Sequence, residues 1–415
     1  MCGSTAAATY AVGLAWRLFR HQWYLASDSK QGCIDFAWMW VSGTVAGSSD
    51  PARVYDGSAW SAAWRILTGL NDCKFAANGL SLSYPPTYLF FTYPLGVMPY
   101  GIAFAVWLVA TLLLYLAAVY AIIPRPAAVI AALTPYTVIV NALLGQNGFL
   151  TAGLIGLSLA FLEGRPWLSG VFLGLLTSKP QFGILFPFAL LVSRNWRALA
   201  SATATSVILG AAAAIDFGYQ GWPSFIHSLV GRHSDLVEEP RVLVSVFGFL
   251  LSAGVSAHIS WAVHLVVAVV ISVAVCAVWA KSIPHSLKAA ALCVASVTVT
   301  PYVLTYDLCV LSIAVAFLVS DGLSRGFLRG ERAVMVISWF GLFLLVPPLP
   351  QLIICLVLLA LVARRIVAHP SGSRGDGQSS HSAATDHHSI SAVAMLKYAP
   401  PMTKPVVCAP LAPWN

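Results

Sequence analysis

Charge is what this sequence has least of. Only 9% of its 415 residues are Asp, Glu, Lys or Arg, against 59% hydrophobic residues and a mean hydropathy of +0.80. A water-soluble fold of this length cannot bury that much apolar surface, so the class is a polytopic membrane protein, all-α. Cysteine gives no framework either. The eight thiols are scattered with no CxxC spacing, which excludes a disulfide scaffold, and Cys276, Cys293, Cys309 and Cys355 lie in apolar runs as small buried residues. There is no glycine-rich phosphate loop, no HExxH and no GxSxG. Those absences argue against nucleotide-driven chemistry in a soluble domain, so an activated donor must come through or along the membrane. No internal repeat stands out, and no tight cluster of acids suggests a divalent metal site.

What is present is a succession of apolar runs. They cover roughly 101–123, 127–143, 147–162, 166–178, 182–193, 197–216, 258–280, 287–303, 306–320, 333–347 and 350–363. Several fall short of the ~20 residues that a straight span needs, which suits helices that are broken or lined by protein. Residues 1–24 are mildly apolar but carry Arg17 and Arg20. Counted as a first span, they bring the expected total to about twelve. The net charge of +8 collects in alternate connections: Arg125; Arg165; Arg194 and Arg197; Lys281 and Lys288; Arg325, Arg329 and Arg332; Arg364 and Arg365. By the positive-inside rule this set is cytoplasmic. The opposite set holds the segment of about 25–99, "LGQNG", "SKPQ", 217–257, "TPYVLTYDL" and "PPLP". The expected organisation is therefore a membrane domain over 1–368 and a disordered cytoplasmic tail over 369–415. That tail is rich in Ser, Gly and His, and His381, His387 and His388 in it lack an apolar scaffold to fix a metal.

The unusual polar residues all fall in the second set. "GCIDFAWMWVSG" places one acid, Asp35, among aromatic residues. It is either a loop acid facing water or a carboxylate tuned by burial for proton chemistry. Lys179, in "LLTSKPQFGILF", is a lone cation beside a helix-breaking Pro180 and Gln181. It reads as a snorkelling interface residue or as a phosphate anchor. Gln146 and Asn147 in "LGQNGF" form a turn, or a pair of amides for sugar hydroxyls. Asp307 in "TPYVLTYDL" caps a helix or joins Tyr306 in a site. The prolines of "SYPPTYLFFTYPLGVMPYG" forbid one regular helix across it and suit a stiff aromatic roof over a cavity, with Tyr84 at its start. Asp50 and Asp56 read as turn and cap residues. The mixed charges of 217–257, including Arg232, His233, Asp235, Glu238, Glu239 and Arg241, read as an external amphipathic loop.

Taken together, "DFAWMWVSG", "DPARVYD", "YPPT", "GQN", "SKPQ" and "TPYVLTYDL", in that order, resemble glycosyltransferase family 87. This family comprises integral-membrane enzymes of the GT-C type. The resemblance implies an inverting transferase that takes a hexose, mannose above all, from a polyprenyl-phosphate sugar on the external or periplasmic face of the inner membrane. It implies Asp35 as general base in a long first external loop and Lys179 with Gln181 at the donor phosphate. Tyr84, Gln146, Asn147, Tyr306 and Asp307 would meet the substrates. Partners would be membrane lipid, the lipid-linked donor and a glycolipid, polysaccharide or protein acceptor, with no nucleic acid, cofactor or metal. The chain departs from the family where Arg17 and Arg20 interrupt the first span, and where "PYVLTYD" lacks the histidines that relatives often place near that acid. The rival class is a transporter or lipid-linked-sugar flippase without transferase activity.

Overall fold

The computed structural model describes residues 35–68, 81–238, 243–341 and 349–368. The doubtful first span and the tail expected over 369–415 lie outside the described residues, as do Glu239 and Arg241. All regular structure among the described residues is helical. In chain order the helices are α1 (Asp35–Ala46), α2 (Gly57–Thr68), α3 (Leu89–Gly96), α4 (Tyr100–Ile122), α5 (Pro126–Ala132) and α6 (Tyr136–Leu144). They continue with α7 (Gly148–Phe161), α8 (Pro166–Leu175), α9 (Leu185–Val192), α10 (Trp196–Asp216), α11 (Gly221–Glu238) and α12 (Val246–Ser252). The last are α13 (Ala257–Ala280), α14 (His285–Thr298), α15 (Cys309–Arg325), α16 (Glu331–Gly341) and α17 (Leu349–Ala368).

Four helical stretches among the described residues are long and apolar enough to cross a membrane: α4, α10, α13 and Thr305–Arg325, which is α15 with its leading turn. The pair α5 and α6, bent by 67° across Thr134 and Pro135, makes up to a fifth. This is fewer than the about twelve spans expected from the apolar runs. The runs are there, but prolines and glycines cut several into shorter helices such as α7, α8 and α9. A proline lacks the N–H that would continue the helix and disfavours a helical conformation in the residue before it.

The core is built from α7, α14 and α15. Every residue of α7 from Gly148 to Leu159 is buried, as is nearly all of α14 from Ala289 to Thr298 and of α15 from Cys309 to Leu318. Alanines 289, 290, 291 and 295 give α14 a narrow surface, which lets neighbouring helices approach closely without relying on a hydrophobic driving force between them. Among the four long stretches the one containing α15 is the most enclosed and α13 the least. Arg365, read from sequence as a loop cation, is instead fully buried, because α17 continues past it to Ala368 and acids meet it there.

Tryptophan indoles staple the first third of the chain. Trp60 Nε1 donates to Ser42 Oγ at 3.0 Å, Trp40 Nε1 to the Met98 carbonyl at 3.0 Å and Trp107 Nε1 to the Gly145 carbonyl at 2.9 Å. The first two hold α1, which carries Asp35 in its first turn, against α2 and the connection between α3 and α4, and the third ties α4 to the end of α6. The segment 83–101 is interrupted as expected, into the 3₁₀ turn Pro86–Tyr88, α3 and α4. The interruption is less complete than the prolines suggest, since α3 carries Pro94 inside it. Asp56 caps α2, its Oδ1 accepting from Ser58 N at 2.8 Å, Ser58 Oγ at 2.7 Å and Ala59 N at 3.2 Å. Asp50 precedes the 3₁₀ turn Pro51–Tyr55 without a side-chain cap bond.

Candidate active site

One cavity of about 560 Å³ gathers most of the polar residues singled out in the sequence. Its lining includes Asp35, Tyr84, Gln146, Lys179, Gln181, Tyr306 and Asp307, contributed by segments spread over more than 270 positions of the chain (307 − 35 = 272). Trp38, Tyr302, Ile184, Phe225 and Leu229 add an aromatic and apolar wall. Phe225 and Leu229 come from α11, which packs on the turns Pro51–Tyr55 and Pro86–Tyr88, with the Phe225 and Tyr55 rings 5.9 Å apart. The 217–257 segment thus supplies an amphipathic helix beside the cavity. The described side chains of α11 end at Leu229, before Arg232, His233, Asp235 and Glu238.

Lys179 reaches the cavity because the chain breaks there. Helix α8 tightens into the 3₁₀ turn Leu176–Ser178, Lys179 leaves helical geometry at φ −142°, ψ 67°, and Pro180 opens a second 3₁₀ turn to Phe182. A residue before proline is pushed out of the helical region, so the "SKP" order itself positions the lysine at a corner. Its ammonium is buried, 4% exposed, and forms an ion pair with Asp307. It also donates to Asn147 Oδ1 at 2.7 Å and sits 5.1–5.7 Å from the ring centres of Phe182, Tyr306 and Tyr84. Cation–π attraction and a carboxylate together repay the cost of removing an ammonium from water. Asp307 caps its turn, as one of the two readings of the sequence had it, and also lines the cavity. Its Oδ2 accepts from the Leu304 N–H at 3.1 Å, closing the turn Thr305–Leu308, while Oδ1 takes the lysine.

Asp35 lines the same cavity and is half-buried. Gln146 Nε2 donates to its Oδ2 at 2.8 Å. Burial among Phe36, Trp38 and the cavity wall raises its pKa above the ordinary carboxylate range, and the Gln146 bond partly offsets this. The turn bearing Gln146 depends on Gly145, which ends α6 in the left-handed region at φ 64°. A side chain there would also strike Phe104 and Phe36 at 2.7 Å. Gly148 is equally constrained, since a Cβ would meet the Tyr306 carbonyl oxygen at 2.2 Å. The turn reading of "GQNG" therefore holds, and the turn its glycines make brings Gln146 to the cavity.

Asn147 does not line the cavity. It is fully buried behind the wall, with Nδ2 donating to the Tyr88 hydroxyl at 3.1 Å and Oδ1 receiving Lys179. The expectation that it meets a sugar directly does not fit that placement, because its amide is already bonded on both sides. Tyr88 itself was missed in the sequence. No helix joins it to Tyr84, because Pro85 and Pro86 lie between them, so spacing gave no signal, yet the two rings stand 4.3 Å apart. Thr300, whose hydroxyl donates to the Gln181 carbonyl at 3.1 Å, was also missed.

Helical throughout the described residues and strongly apolar, with Asp35, Lys179 and Asp307 brought to one cavity, the chain is defined as a membrane protein with an enclosed polar site. The family model for glycosyltransferase family 87 matches residues 82–305, more than half of the chain, and the protein belongs to that family. Neither a curated protein nor a solved structure matches the chain. The matched region contains Tyr84, Gln146, Lys179 and Gln181, while Asp35 precedes it and Tyr306 and Asp307 follow it. Membership makes the chain a glycosyltransferase with a sugar donor and an acceptor, set among membrane helices.

Proposed function

We propose that the protein transfers a hexose, mannose in the first instance, from a polyprenyl-phosphate sugar to an acceptor on the external or periplasmic side of the inner membrane. The observation that supports this reading is the pairing in one cavity of a carboxylate with an open oxygen, Asp35, and a buried cation, Lys179. In the inverting reaction the acceptor hydroxyl gives its proton to Asp35 as its oxygen bonds to the anomeric carbon. The bond from that carbon to the phosphate oxygen breaks, and the electron pair leaves with polyprenyl phosphate. Such a donor already carries a good leaving group, so one base suffices and no second carboxylate need act as nucleophile. Lys179 and Gln181 would meet the phosphate, with Asp307 as the resting counter-ion that the phosphate displaces. Tyr84 and Tyr306 would pack on the sugar, and Ile184, Phe225 and Leu229 offer an apolar side for the lipid.

In this reading the short helices complete a GT-C-like bundle of about twelve spans, and the segment of about 25–99 forms the long external loop that carries the base. No cofactor enters, since the activated sugar is itself a substrate. Membranes bearing the native chain, given labelled β-linked polyprenyl-phosphate mannose and a lipid extract, should yield an α-mannoside, with nucleotide-linked mannose inert once the endogenous polyprenyl phosphate is removed. Labelled donor that crosses sealed vesicles without forming a new glycosidic bond would instead establish a flippase.

A further inference from the structure

The two amides of "GQN" have an orientation that chemistry dictates. A carboxylate only accepts and an ammonium only donates, so Gln146 must turn Nε2 to Asp35 and Asn147 must turn Oδ1 to Lys179. The backbone N–H of Asn147 donates to Gln146 Oε1 at 3.2 Å, which locks the Gln146 amide in the orientation that offers its N–H to the acid. Asn147 is held in turn by Nδ2 donating to the Tyr88 hydroxyl, and the backbone that follows it is anchored by the Gly148 N–H donating to Asn141 Oδ1 at 2.7 Å. One dipeptide thus spans from the acid to the lysine, with its neighbours on both sides bonded. Asp35 Oδ2 is occupied by this arrangement, and no described residue donates to Oδ1.

We propose that Gln146 is a positioning residue for Asp35, holding Oδ2 so that Oδ1 alone is presented to the acceptor hydroxyl, with Asn147 fixing the amide that does so. This deepens the reading of Asp35 as the base and rests on it. Gln146 consequently acts on the base and not on the sugar, although it lines the cavity. Its bond favours the ionised carboxylate against the burial that disfavours it, so its removal should raise the pH at which Asp35 loses its proton. The titratable groups sharing the cavity are Lys179, Asp307, Tyr84, Tyr302 and Tyr306. From the elements packed on α1, Tyr55 and Tyr100 are buried or half-buried, while Arg53, Arg65 and Tyr93 are exposed. Lys179 is already neutralised by Asp307, so the Gln146 amide is the nearest group able to offset burial at Asp35.

The test is Gln146→Met, which keeps length and volume but donates nothing. In detergent-purified protein, the infrared carboxyl band of Asp35, assigned by its loss in Asp35→Asn, is followed against pH in the native chain and in Gln146→Met. We expect its midpoint to move up by about one pH unit. The acid limb of transfer should move with it, with about a tenfold loss on the acid side and recovery to near-native rates above the new midpoint. Gln146→Glu, which replaces the donor with an acid, should move the midpoint further in the same direction. An unmoved Asp35 midpoint in Gln146→Met overturns the proposal, as does a loss of transfer that is equal at every pH. The infrared midpoint stands apart from transfer. Asp35→Asn that still transfers would sink the reading of Asp35 as base, while an unmoved midpoint would sink only the role of Gln146.

Discussion

The two ends of α15 each hold a buried ionic cluster, and they are built for different ends. At its leading turn sit Asp307, Lys179 and, across the cavity, Asp35. At its last turn Asp321 meets Arg365, Arg325 and the Ser286 hydroxyl, and Arg365 also pairs with Glu331. The two aspartates are fourteen positions apart (321 − 307 = 14), roughly 20 Å along a helix. In the second cluster every carboxylate oxygen has a partner. Glu331 Oε2 alone accepts from Leu328 N at 2.9 Å and Arg365 Nη2 at 2.7 Å, and Arg365 Nη2 also donates to the Gly326 carbonyl at 3.0 Å. The cluster ties α14, α15, α16 and α17 together. The first cluster keeps its second acid, Asp35, half-bonded and facing a cavity. A fully paired buried network specifies structure, whereas a carboxylate held by one bond beside open space is available for a proton.

That contrast can be broken from either side. Asp35→Asn should lower transfer by about 10²–10⁴-fold, the usual worth of a general base, and leave the thermal midpoint near native. Arg365→Met should do the reverse. It leaves Asp321 with Arg325 and strips Glu331 of its ion pair, a change that costs about 3–5 kcal/mol, readable as a fall in thermal midpoint in detergent, while protein that remains folded keeps its KM for donor. Lys179→Met should fall between, raising the KM for donor about tenfold or more and exposing Asp307 as an unpaired buried acid. Lys179→Met combined with Asp307→Asn should recover stability but not donor affinity, which separates the two functions of that pair.

The pH dependence sharpens the comparison further. Because burial raises the pKa of Asp35, transfer should rise with pH along a limb lying above the ordinary carboxylate range. Stability should move the opposite way over that window. The folded chain holds the Asp35 proton more tightly than the unfolded one, so the contribution is present below the unfolded pKa and is lost as pH climbs through the folded one. A transfer limb at or below the ordinary carboxylate range would contradict the burial argument. The smallest effect belongs to a residue in neither cluster. Asp56→Ala removes the exposed cap of α2 and should cost about 1 kcal/mol, without changing transfer.

The sequence reading reached the residues that depend on local grammar. A lysine before a proline, an acid opening a helix and a glycine-flanked amide pair each announce themselves within a few positions, and Lys179, Asp307 and Gln146 from them line the same cavity. What it could not reach were pairings across long separations. Lys179 and Asp307 are 128 positions apart, and Arg365 finds Asp321 and Glu331 at 44 and 34. Nothing periodic marks such partners, so Arg365 read as a loop cation and Asn147 as a turn residue or an amide for sugar hydroxyls. The breaks inside the apolar runs were hidden for a related reason: hydropathy registers an apolar run whether or not a proline divides it, and only the backbone shows where α5 gives way to α6.

The most direct measurement is mannose transfer from radiolabelled polyprenyl phosphate in membranes carrying the native chain or Asp35→Asn, with thermal midpoints taken on the same preparations. The account predicts transfer by the native chain that vanishes in the variant at an unchanged midpoint. Equal transfer by both chains would contradict it and leave Asp35 an ordinary acid beside a cavity.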